Sequence, residues 1–267
     1  MAFSFIQITD HHLGESAQDQ PFGYPASATF QAVMDNIAYS NEDFDFLVST
    51  GDLVNRPTDD SYRYLKTILN MQPARQVPGP HFIRYGRLWD FPVYLLPGNH
   101  DDRKTFFNNL YDDEKPELLN ASFQHKGVNF ICLDWGGLDQ GELSNGMLSF
   151  LESALDDGLP AVLLMHHNVV PLGVPWLDRF IANDIDRFYK CLEGRNVLGI
   201  LCGHLHTTYE THLDGIPVLG LRSTGFQFRV EGKLVMSLMP LHYRIVTIDD
   251  HFHLTSRIIE VPLPAGL

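Results

Sequence analysis

The sequence has little of what several protein classes require. Its 267 residues include only three cysteines, Cys132, Cys191 and Cys202, and no C-x-x-C pair. This excludes a disulfide framework and a cysteine-based zinc or redox motif. No apolar run reaches the roughly 18 residues that a membrane-spanning helix needs, and the first residues lack the basic segment of a signal peptide. We therefore predict a cytoplasmic protein that has no membrane partner.

Positive charge is also scarce. The chain has 19 lysines and arginines against 33 aspartates and glutamates, which gives a formal net charge of −14. Because binding to a nucleic-acid polymer depends on a basic face, this balance argues against such a partner and against a DNA nuclease. The charge count leaves out bound cations, and two divalent metal ions would make a pocket locally attractive to an anionic substrate.

Histidine, in contrast, is abundant, and seven of the thirteen histidines lie in five short strings that each follow an apolar run. The strings are Asp10-His11-His12, Gly51-Asp52, Gly98-Asn99-His100-Asp101, His166-His167 and Gly203-His204-Leu205-His206. The apolar runs are typical of strands buried on both faces. Ligands of open α/β sheets collect at the carboxyl ends of such strands, so we expect the five strings to meet in one site.

The remaining pattern predicts the α/β fold class, with two central sheets covered by helices. Helices are predicted near Ser27–Ser40, Asp59–Met71, Arg103–Leu110 and Leu177–Leu192, and after the N-cap candidate Ser144. From about residue 207 the pattern is β-rich, with a hairpin at Asp214-Gly215 and strands at Phe226–Val230, Leu241–Ile248 and Phe252–Ile259. We expect residues 1–267 to form one domain, and the loop Gln72–Arg87 to line one wall of its active site.

The residue types in the strings indicate a metal centre. Carboxylate, imidazole and amide ligands together suit Mn, Fe, Zn or Co better than Ca or Mg. Seven candidate ligands exceed the needs of one tetrahedral zinc ion, so we predict two divalent or trivalent transition-metal ions. Two ions about 3.5–4 Å apart can hold a bridging hydroxide and stabilise the attacking and leaving oxygens of a displacement.

Two strings suggest individual roles at such a centre. Asp52 is the candidate bridging carboxylate, because its string offers no second ligand beside it. His100 is the candidate general acid, since an imidazole with a pKa near neutrality can protonate a leaving alkoxide. Asp101 is a candidate catalytic residue that orients this imidazole, although Asp102 is equally near in sequence.

The order D-x-H, G-D, G-N-H-D, strand-terminal His and G-H-x-H resembles the calcineurin-like metallophosphoesterases over almost the whole chain. Further resemblance to the branch of class III cyclic nucleotide phosphodiesterases and glycerophosphodiesterases lies in Gly141-Glu142-Leu143-Ser144, in His166-His167 before a Pro/Gly loop, and in Ser223-Thr224 before Gln227-Phe228. The resemblance implies a four-layer αββα sandwich with two central mixed β-sheets, and it implies that His100 is the acid. It implies one metal held by Asp10, His12, Asp52 and His206, and a second held by Asp52, Asn99, His166 and His204.

Paired histidines and departures from the family pattern leave alternatives open. Strand alternation turns either His11 or His12 away from the site, and we favour His12 as the ligand. His167 is a candidate substrate-binding residue. The segment Asn168-Val169-Val170 stands where this branch usually has two prolines. The segment Leu53-Val54-Asn55-Arg56, which follows Gly51-Asp52, lacks the second aspartate and the Arg-Gly that protein serine/threonine phosphatases carry there.

We therefore predict a metal-dependent hydrolase of small phosphodiesters, of the cyclic nucleotide or glycerophosphodiester type. A phosphomonoesterase using the same site and a non-catalytic metal-binding scaffold are the alternatives. All seven ligand positions are filled, which argues against the scaffold. The β-rich C-terminal part could also supply an edge or a face for a homodimer.

Overall fold

The computed structural model describes residues 2–69, 91–110, 119–230 and 234–267, and the predicted loop Gln72–Arg87 lies outside these ranges. The strands within them are β1 (Phe3–Ile8), β2 (Phe46–Thr50), β3 (Val93–Leu96), β4 (Ala121–His125), β5 (Val128–Leu133), β6 (Ala161–Met165), β7 (Val197–Cys202), β8 (Tyr209–Leu213), β9 (Ile216–Gly220), β10 (Gln227–Val230), β11 (Leu234–Ser237), β12 (Leu241–Ile248) and β13 (Leu254–Val261). The helices are α1 (Ala26–Tyr39), α2 (Asp59–Ile68), α3 (Arg103–Leu110), α4 (Asn145–Leu155), α5 (Pro175–Asp178) and α6 (Ile185–Leu192). None of these helices is long and apolar enough to cross a membrane.

The first central sheet has the strand order β13-β12-β1-β2-β3. Strands β1, β2 and β3 are parallel, and β12 pairs antiparallel with β1, with Phe3 opposite Ile248. Every residue of β2 is buried, which matches its continuous apolar run. Because β1, β2 and β3 are parallel, the chain leaves all three at the same edge of the sheet.

The second sheet has the order β4-β5-β6-β7-β9-β8. Its four central strands, β5, β6, β7 and β9, are parallel, whereas β4 and β8 pair antiparallel at the two edges. Strands β10 and β11 form a separate two-stranded hairpin. Both central sheets are therefore mixed, as predicted.

Three apolar cores separate four layers. One core lies between helices α1–α3 and the first sheet, and includes Phe30 and Tyr62. Another lies between helices α4 and α6 and the second sheet, and includes Leu151 and Phe188. The third fills the space between the two sheets, where Phe5 stacks on Phe46 and packs edge-to-face against Phe130. This αββα arrangement confirms the predicted fold class.

The predicted N-cap of α4 is confirmed, and α2 begins with a capping box that was not predicted. The Ser144 hydroxyl caps α4 by accepting a hydrogen bond from the Met147 N–H at 3.0 Å. The hydroxyl of Thr58 accepts from the Ser61 N–H at 3.1 Å, and the Ser61 side chain in turn accepts from the Thr58 N–H, so α2 begins with a capping box.

The predicted helix over Leu177–Leu192 is wrong, because the structure has two helices, α5 and α6, in that segment. Asp184 lies between them with a φ of 57°, a left-handed conformation that a continuous helix does not permit. Ala182 also donates its N–H to the Asn168 carbonyl at 2.9 Å, which ties the interrupted segment to the loop after β6. The last strand begins at Leu254 rather than Phe252, and β11 was not predicted.

The carboxyl ends of strands from both sheets meet at one edge of the sandwich. Gln7, near the end of β1, donates its side-chain amide to the Thr50 hydroxyl in the same sheet and to the Cys202 carbonyl in the other, each at 3.1 Å. The Gly203 N–H donates to the His166 carbonyl at 3.0 Å. These bonds fix the turns that follow β1, β2, β6 and β7 beside one another.

Candidate metal centre

Backbone conformation distinguishes three of the five strings from ordinary turns. Asp10, His12, Asp52, His204 and His206 all have a positive φ, between 47° and 72°. Non-glycine residues rarely adopt this left-handed region, and such strain concentrates at functional sites. In these three strings the regular strand alternation of side chains is interrupted, and the ligand side chains turn toward a common point.

Two glycines make the close approach of these turns possible. A Cβ at Gly98 would lie 2.2 Å from Asp52 Oδ1, and a Cβ at Gly203 would lie 2.1 Å from Thr9 Oγ1. Both distances are far below van der Waals contact, so no larger residue fits without moving the loops. The glycines of the strings are thus explained by the convergence of strands from two sheets.

The first ligand group contains two carboxylates and two imidazoles, all buried: Asp10, His12, Asp52 and His206. Their candidate ligand atoms lie within 4.8 Å of one another. His12 Nε2 is 3.0 Å from His206 Nε2 and 3.4 Å from Asp52 Oδ2, and His206 Nε2 is 3.3 Å from Asp10 Oδ1. Nitrogen and oxygen donors this close, facing a common centre, match the shell of a transition metal.

The second ligand group shares one residue with the first. It contains Asp52, His166 and His204, again within 4.8 Å of one another. His166 Nε2 is 3.3 Å from Asp52 Oδ2 and 3.0 Å from the amide oxygen of Asn99. Asp52 Oδ2 therefore faces an imidazole of each group, which is the placement expected of a bridging carboxylate. The structure brings all seven predicted ligands together.

Backbone carbonyls orient three of the four imidazoles. His166 Nδ1 lies 2.8 Å from the Thr50 carbonyl, His206 Nδ1 lies 2.6 Å from the Phe226 carbonyl, and His204 Nε2 lies 2.7 Å from the Asp139 carbonyl. A carbonyl can only accept, so each of these nitrogens carries a proton. The opposite nitrogen of each neutral ring is then free to bind a metal, as is usual for metal-ligating histidines.

The electrostatics of the pocket also favour bound cations. Burial opposes ionisation of Asp10 and Asp52, but the nearby His206 and His166 outweigh it and hold the pKa of both carboxyls below the ordinary value. Burial lowers the pKa of His12 to about 3 and that of His204 to about 4. Two buried carboxylates beside the neutral imidazoles of His12 and His204 favour additional positive charge, which divalent metal ions would supply. The donor set thus fits a dinuclear metal site.

His100 lines the pocket beside these groups. Its backbone N–H donates to Asp52 Oδ1 at 2.9 Å, and its Nδ1 lies 3.1 Å from the Asn55 carbonyl. Asn55, and neither Asp101 nor Asp102, therefore orients the ring. The Asp102 carboxylate instead caps α3 through Thr105.

Asp101 has a structural position that its sequence neighbourhood did not indicate. One carboxylate oxygen accepts from the backbone N–H groups of Leu53 and Gly98, and the other accepts from the Tyr62 hydroxyl at 2.8 Å. Burial, with the charge of Asp52, raises the pKa of Asp101 to about 6. The expectation that this side chain contacts His100 is wrong because its oxygens point to the turns beneath the site.

The paired histidines are now distinguished. His11 is buried away from the ligands, between the hydroxyls of Thr224 at 2.7 Å and Ser49 at 2.8 Å. His167 is also buried, bonded through Nε2 to the Leu138 carbonyl at 2.8 Å, with its ring centroid 4.8 Å from that of His204. It does not line the pocket, so the structure gives no support to a contact between His167 and substrate.

Sequence reasoning missed Arg103. Its guanidinium donates to the carbonyls of Gly98 at 2.7 Å, Asp101 at 2.6 Å and Gly136 at 2.7 Å, and forms an ion pair with Asp134. It thus joins the turn after β3 to the turn after β5, in different sheets. The sequence feature that could have indicated this role is the position of Arg103, two residues after the Gly98–Asp101 string.

Aromatic side chains, also missed, surround the mouth of the pocket. They are Phe22, Trp176, Phe180, Phe226 and Phe228. Among the described residues that line this pocket there is neither lysine nor arginine. Apart from the ligands, His100 and Asp139, the described lining is therefore apolar and aromatic, and positive charge at the centre would come from bound metal.

Comparison with known proteins agrees with this geometry. The family model of calcineurin-like phosphoesterases matches residues 3–208. The chain is 27% identical to the 3′,5′-cyclic adenosine monophosphate phosphodiesterase CpdA of Vibrio vulnificus (strain CMCP6), over 96% of this chain and 89% of that protein. It is 31% identical to a probable cyclic nucleotide phosphodiesterase of Rhodococcus erythropolis, over 82% of this chain and 70% of that one.

Solved structures show the same fold at low identity. A dimetal phosphatase from Danio rerio superposes with a TM-score of 0.61 and 13% identity, over 98% of this chain and 99% of that chain. The purple acid phosphatase PPD1 of yellow lupin gives a TM-score of 0.64 at 13% identity, over 97% of this chain and 52% of that chain. The chain belongs to the calcineurin-like phosphoesterase family and is a metal-dependent phosphoester hydrolase.

Proposed function

We propose that this protein hydrolyses small phosphodiesters of the cyclic nucleotide type at the dinuclear site. The observation that carries the proposal is the position of Asp52 Oδ2, which lies within 3.4 Å of an imidazole of each ligand group. A carboxylate in this position suits two neighbouring metal ions and a displacement at phosphorus. The relatives from Vibrio vulnificus and Rhodococcus erythropolis are named as phosphodiesterases of cyclic nucleotides, which supports the same substrate class here.

The seven ligands would hold the metals in two groups that share Asp52. When bound, the metal pair would supply positive charge to the phosphoryl oxygens and an activated water for attack on phosphorus. The chain's own contribution is to hold the donors in place, through the carbonyls of Thr50, Phe226 and Asp139. The strained backbone at the ligands keeps this arrangement fixed before substrate arrives.

His100 would act as the general acid. As the phosphorus–oxygen bond to the leaving group breaks, the departing alkoxide takes a proton from the protonated imidazole. The bond between Nδ1 and the Asn55 carbonyl fixes the ring, so Nε2 is the nitrogen that would transfer the proton. The backbone bond from His100 to Asp52 keeps the acid at a fixed distance from the bridging carboxylate.

The lining of the pocket favours a diester over a monoester. A phosphomonoester is largely a dianion near neutral pH, whereas a diester carries a single negative charge. No lysine or arginine lines the described part of the pocket, so no side chain there would compensate the additional charge. The aromatic lining also suits a substrate with an apolar or aromatic arm, which favours a nucleotide over a glycerol diester.

The test is hydrolysis of bis(p-nitrophenyl) phosphate beside p-nitrophenyl phosphate, with chelated protein reloaded separately with manganese, zinc and iron. We expect a clear preference for the diester, followed by turnover of cyclic AMP. The variants His100→Ala and Asp52→Ala should lose most of this activity while remaining folded, and His251→Ala, a histidine remote from the site, should retain it. Preference for the monoester would assign a phosphatase role, and silence of folded protein with every metal would refute the proposal.

A further inference from the structure

The side chain of Phe22 has an unusual position at the mouth of the pocket. The residue remains 48% exposed, although it lines the cavity that contains the metal ligands. Its backbone is left-handed, with φ 54° and ψ 19°, within the short 3-10 turn Pro21–Gly23. A bulky residue in this conformation is a genuine outlier, and such outliers point to function when they lie at a site.

The contacts of Phe22 place it beside the groups that would carry out the reaction. Its ring centroid lies 5.2 Å from that of Phe226, 6.2 Å from that of His12 and 6.3 Å from that of His100. Phe226 supports it from below, since Phe226 is buried and stacks on Tyr24 at 5.6 Å. Against the described residues Phe22 keeps 48% of its surface exposed, which leaves room for a planar ligand beside the ring.

Other parts of the pocket wall are also aromatic. Phe180 lies 5.7 Å from His204, and Trp176 lies 5.9 Å from Phe228, measured between ring centroids. The pocket therefore runs from Phe22, next to the first ligand group, to Phe180, next to the second. Aromatic rings stack on any nucleobase, and they do so without a specific hydrogen-bond pattern. A phosphodiester placed at the metals would have its organic arm between these walls.

We propose that Phe22 forms the stacking surface of a subsite for a planar aromatic group, a nucleobase, on one arm of the phosphodiester substrate. The inference rests on the proposed function, and adds to it the residue that sets specificity. The subsite selects the arm by shape and stacking, because the described lining offers aromatic faces and no cationic side chain. Diesters whose arms lack a planar ring are then poorer substrates of the same centre.

The test compares two substrates that differ only in the base. Cyclic AMP is set against the 3,5-cyclic phosphate of methyl ribofuranoside, which has a methoxy group in place of adenine, and turnover is followed by phosphorus NMR on manganese-loaded protein. We expect cyclic AMP to have the higher kcat/KM. The ratio of the two kcat/KM values should fall by about 5- to 150-fold in Phe22→Ala, since stacking contributes that much per base.

Three further variants make the result specific to stacking. Phe22→Trp should restore the ratio, whereas Phe22→Leu, which is apolar but not aromatic, should not. Phe252→Ala is the matched control, because Phe252 is also partly exposed and left-handed, at 39% exposure and φ 62°, but lies in a turn outside the pocket. The control should leave the ratio as in the unmodified protein.

A binding measurement keeps the inference separate from the proposed function. Calorimetry with AMP and with ribose 5-phosphate should show a preference for AMP that Phe22→Ala removes. If the protein hydrolyses neither these substrates nor any other phosphodiester, the proposed function is overturned. The binding preference for AMP then tests the stacking subsite by itself. A Phe22→Ala variant that keeps both preferences, or that loses activity on both substrates equally, would overturn the stacking role.

Discussion

Replacement of Arg103 should weaken both the fold and the reaction. The guanidinium is the only group in the described site that binds backbone on turns from both sheets while also pairing with a carboxylate. Its side chain is 12% exposed and that of Asp134 is 1% exposed, so solvent cannot replace the lost contacts. Lysine keeps the charge but cannot supply the planar, five-donor geometry that this position uses.

The magnitude follows from the individual contacts. Arg103→Lys would lose the three bonds to the carbonyls of Gly98, Asp101 and Gly136, at roughly 0.5–1.5 kcal/mol each, so we expect a loss of about 2–4 kcal/mol in the free energy of unfolding. Arg103→Met would leave Asp134 as a buried carboxylate without its cation. Breaking a buried pair in this way typically costs about 3–5 kcal/mol.

Urea unfolding of manganese-loaded protein measures these losses, and hydrolysis of bis(p-nitrophenyl) phosphate measures the effect on the site. Because Arg103 fixes the turn that carries Asn99 and His100, we expect kcat to fall by about 10- to 100-fold, with a smaller change in KM. Arg63→Met is the matched control. Arg63 pairs with Asp60 at 64% exposure, and such surface pairs contribute at most about 1 kcal/mol.

A double-mutant cycle would reveal an error in this reasoning. In the Asp134→Asn background the carboxylate charge is gone, so Arg103→Met should cost at least about 1 kcal/mol less than in the unmodified protein. Equal costs in both backgrounds would show that the ion pair does not connect the turns. Stability of Arg103→Lys equal to that of the unmodified protein would refute the contribution of the carbonyl bonds.

Three other predictions concern the metals and their supports. Asp52→Ala should reduce bound metal, measured by elemental analysis, from about two ions per chain to fewer than one, because the lost oxygen faces both groups; an unchanged count would contradict the shared position. His11→Ala should lower the free energy of unfolding by about 2–4 kcal/mol, because it leaves the hydroxyls of Thr224 and Ser49 without their buried partner; His251→Ala, the surface control, should change it by less than about 0.5 kcal/mol. In the metal-free protein, burial lowers the pKa of His166, but the charge of Asp52 outweighs burial and raises this pKa to about 9. The protonated ring therefore stabilises the fold fully below pH 6.5, and this stability is lost as the pH rises toward 9. Thermal unfolding of chelated protein should show that loss, and a His166→Gln variant with the same pH slope would contradict it.

The ligand set could be predicted because strand topology determines it. Parallel strands release the chain at one edge, so polar strings after apolar runs had to meet, whichever loops join them. The choice of His12 over His11 also agrees with the geometry. The left-handed backbone at five ligands could not be predicted, since it arises from the meeting of two sheets and not from local propensity.

Other features depended on contacts distant in sequence. Asp101 adjoins His100 in the chain, yet its carboxylate accepts hydrogen bonds from Leu53, Gly98 and Tyr62. The apolar spacing over Leu177–Leu192 fits one helix, but pairing of the segment with the loop at Asn168 interrupts it. Sequence adjacency and apolar periodicity indicate which side chains share a face of an element. The hydrogen bonds of Asp101 and the interruption of the helix depend instead on backbone groups, distant in sequence, that need hydrogen-bond partners.

The pairing of β1 with β12 has a consequence for the order in which the chain matures. Phe3 lies opposite Ile248, so the strand that leads into Asp10 gains its antiparallel neighbour only after every ligand residue has been synthesised. Until then the edge of β1 is open, a state that favours pairing with other chains. A metal ion that bound before β12 paired with β1 would contact ligands on an incomplete sheet. We therefore expect stable binding of both metals only at the end of folding, after the late strands have closed the first sheet.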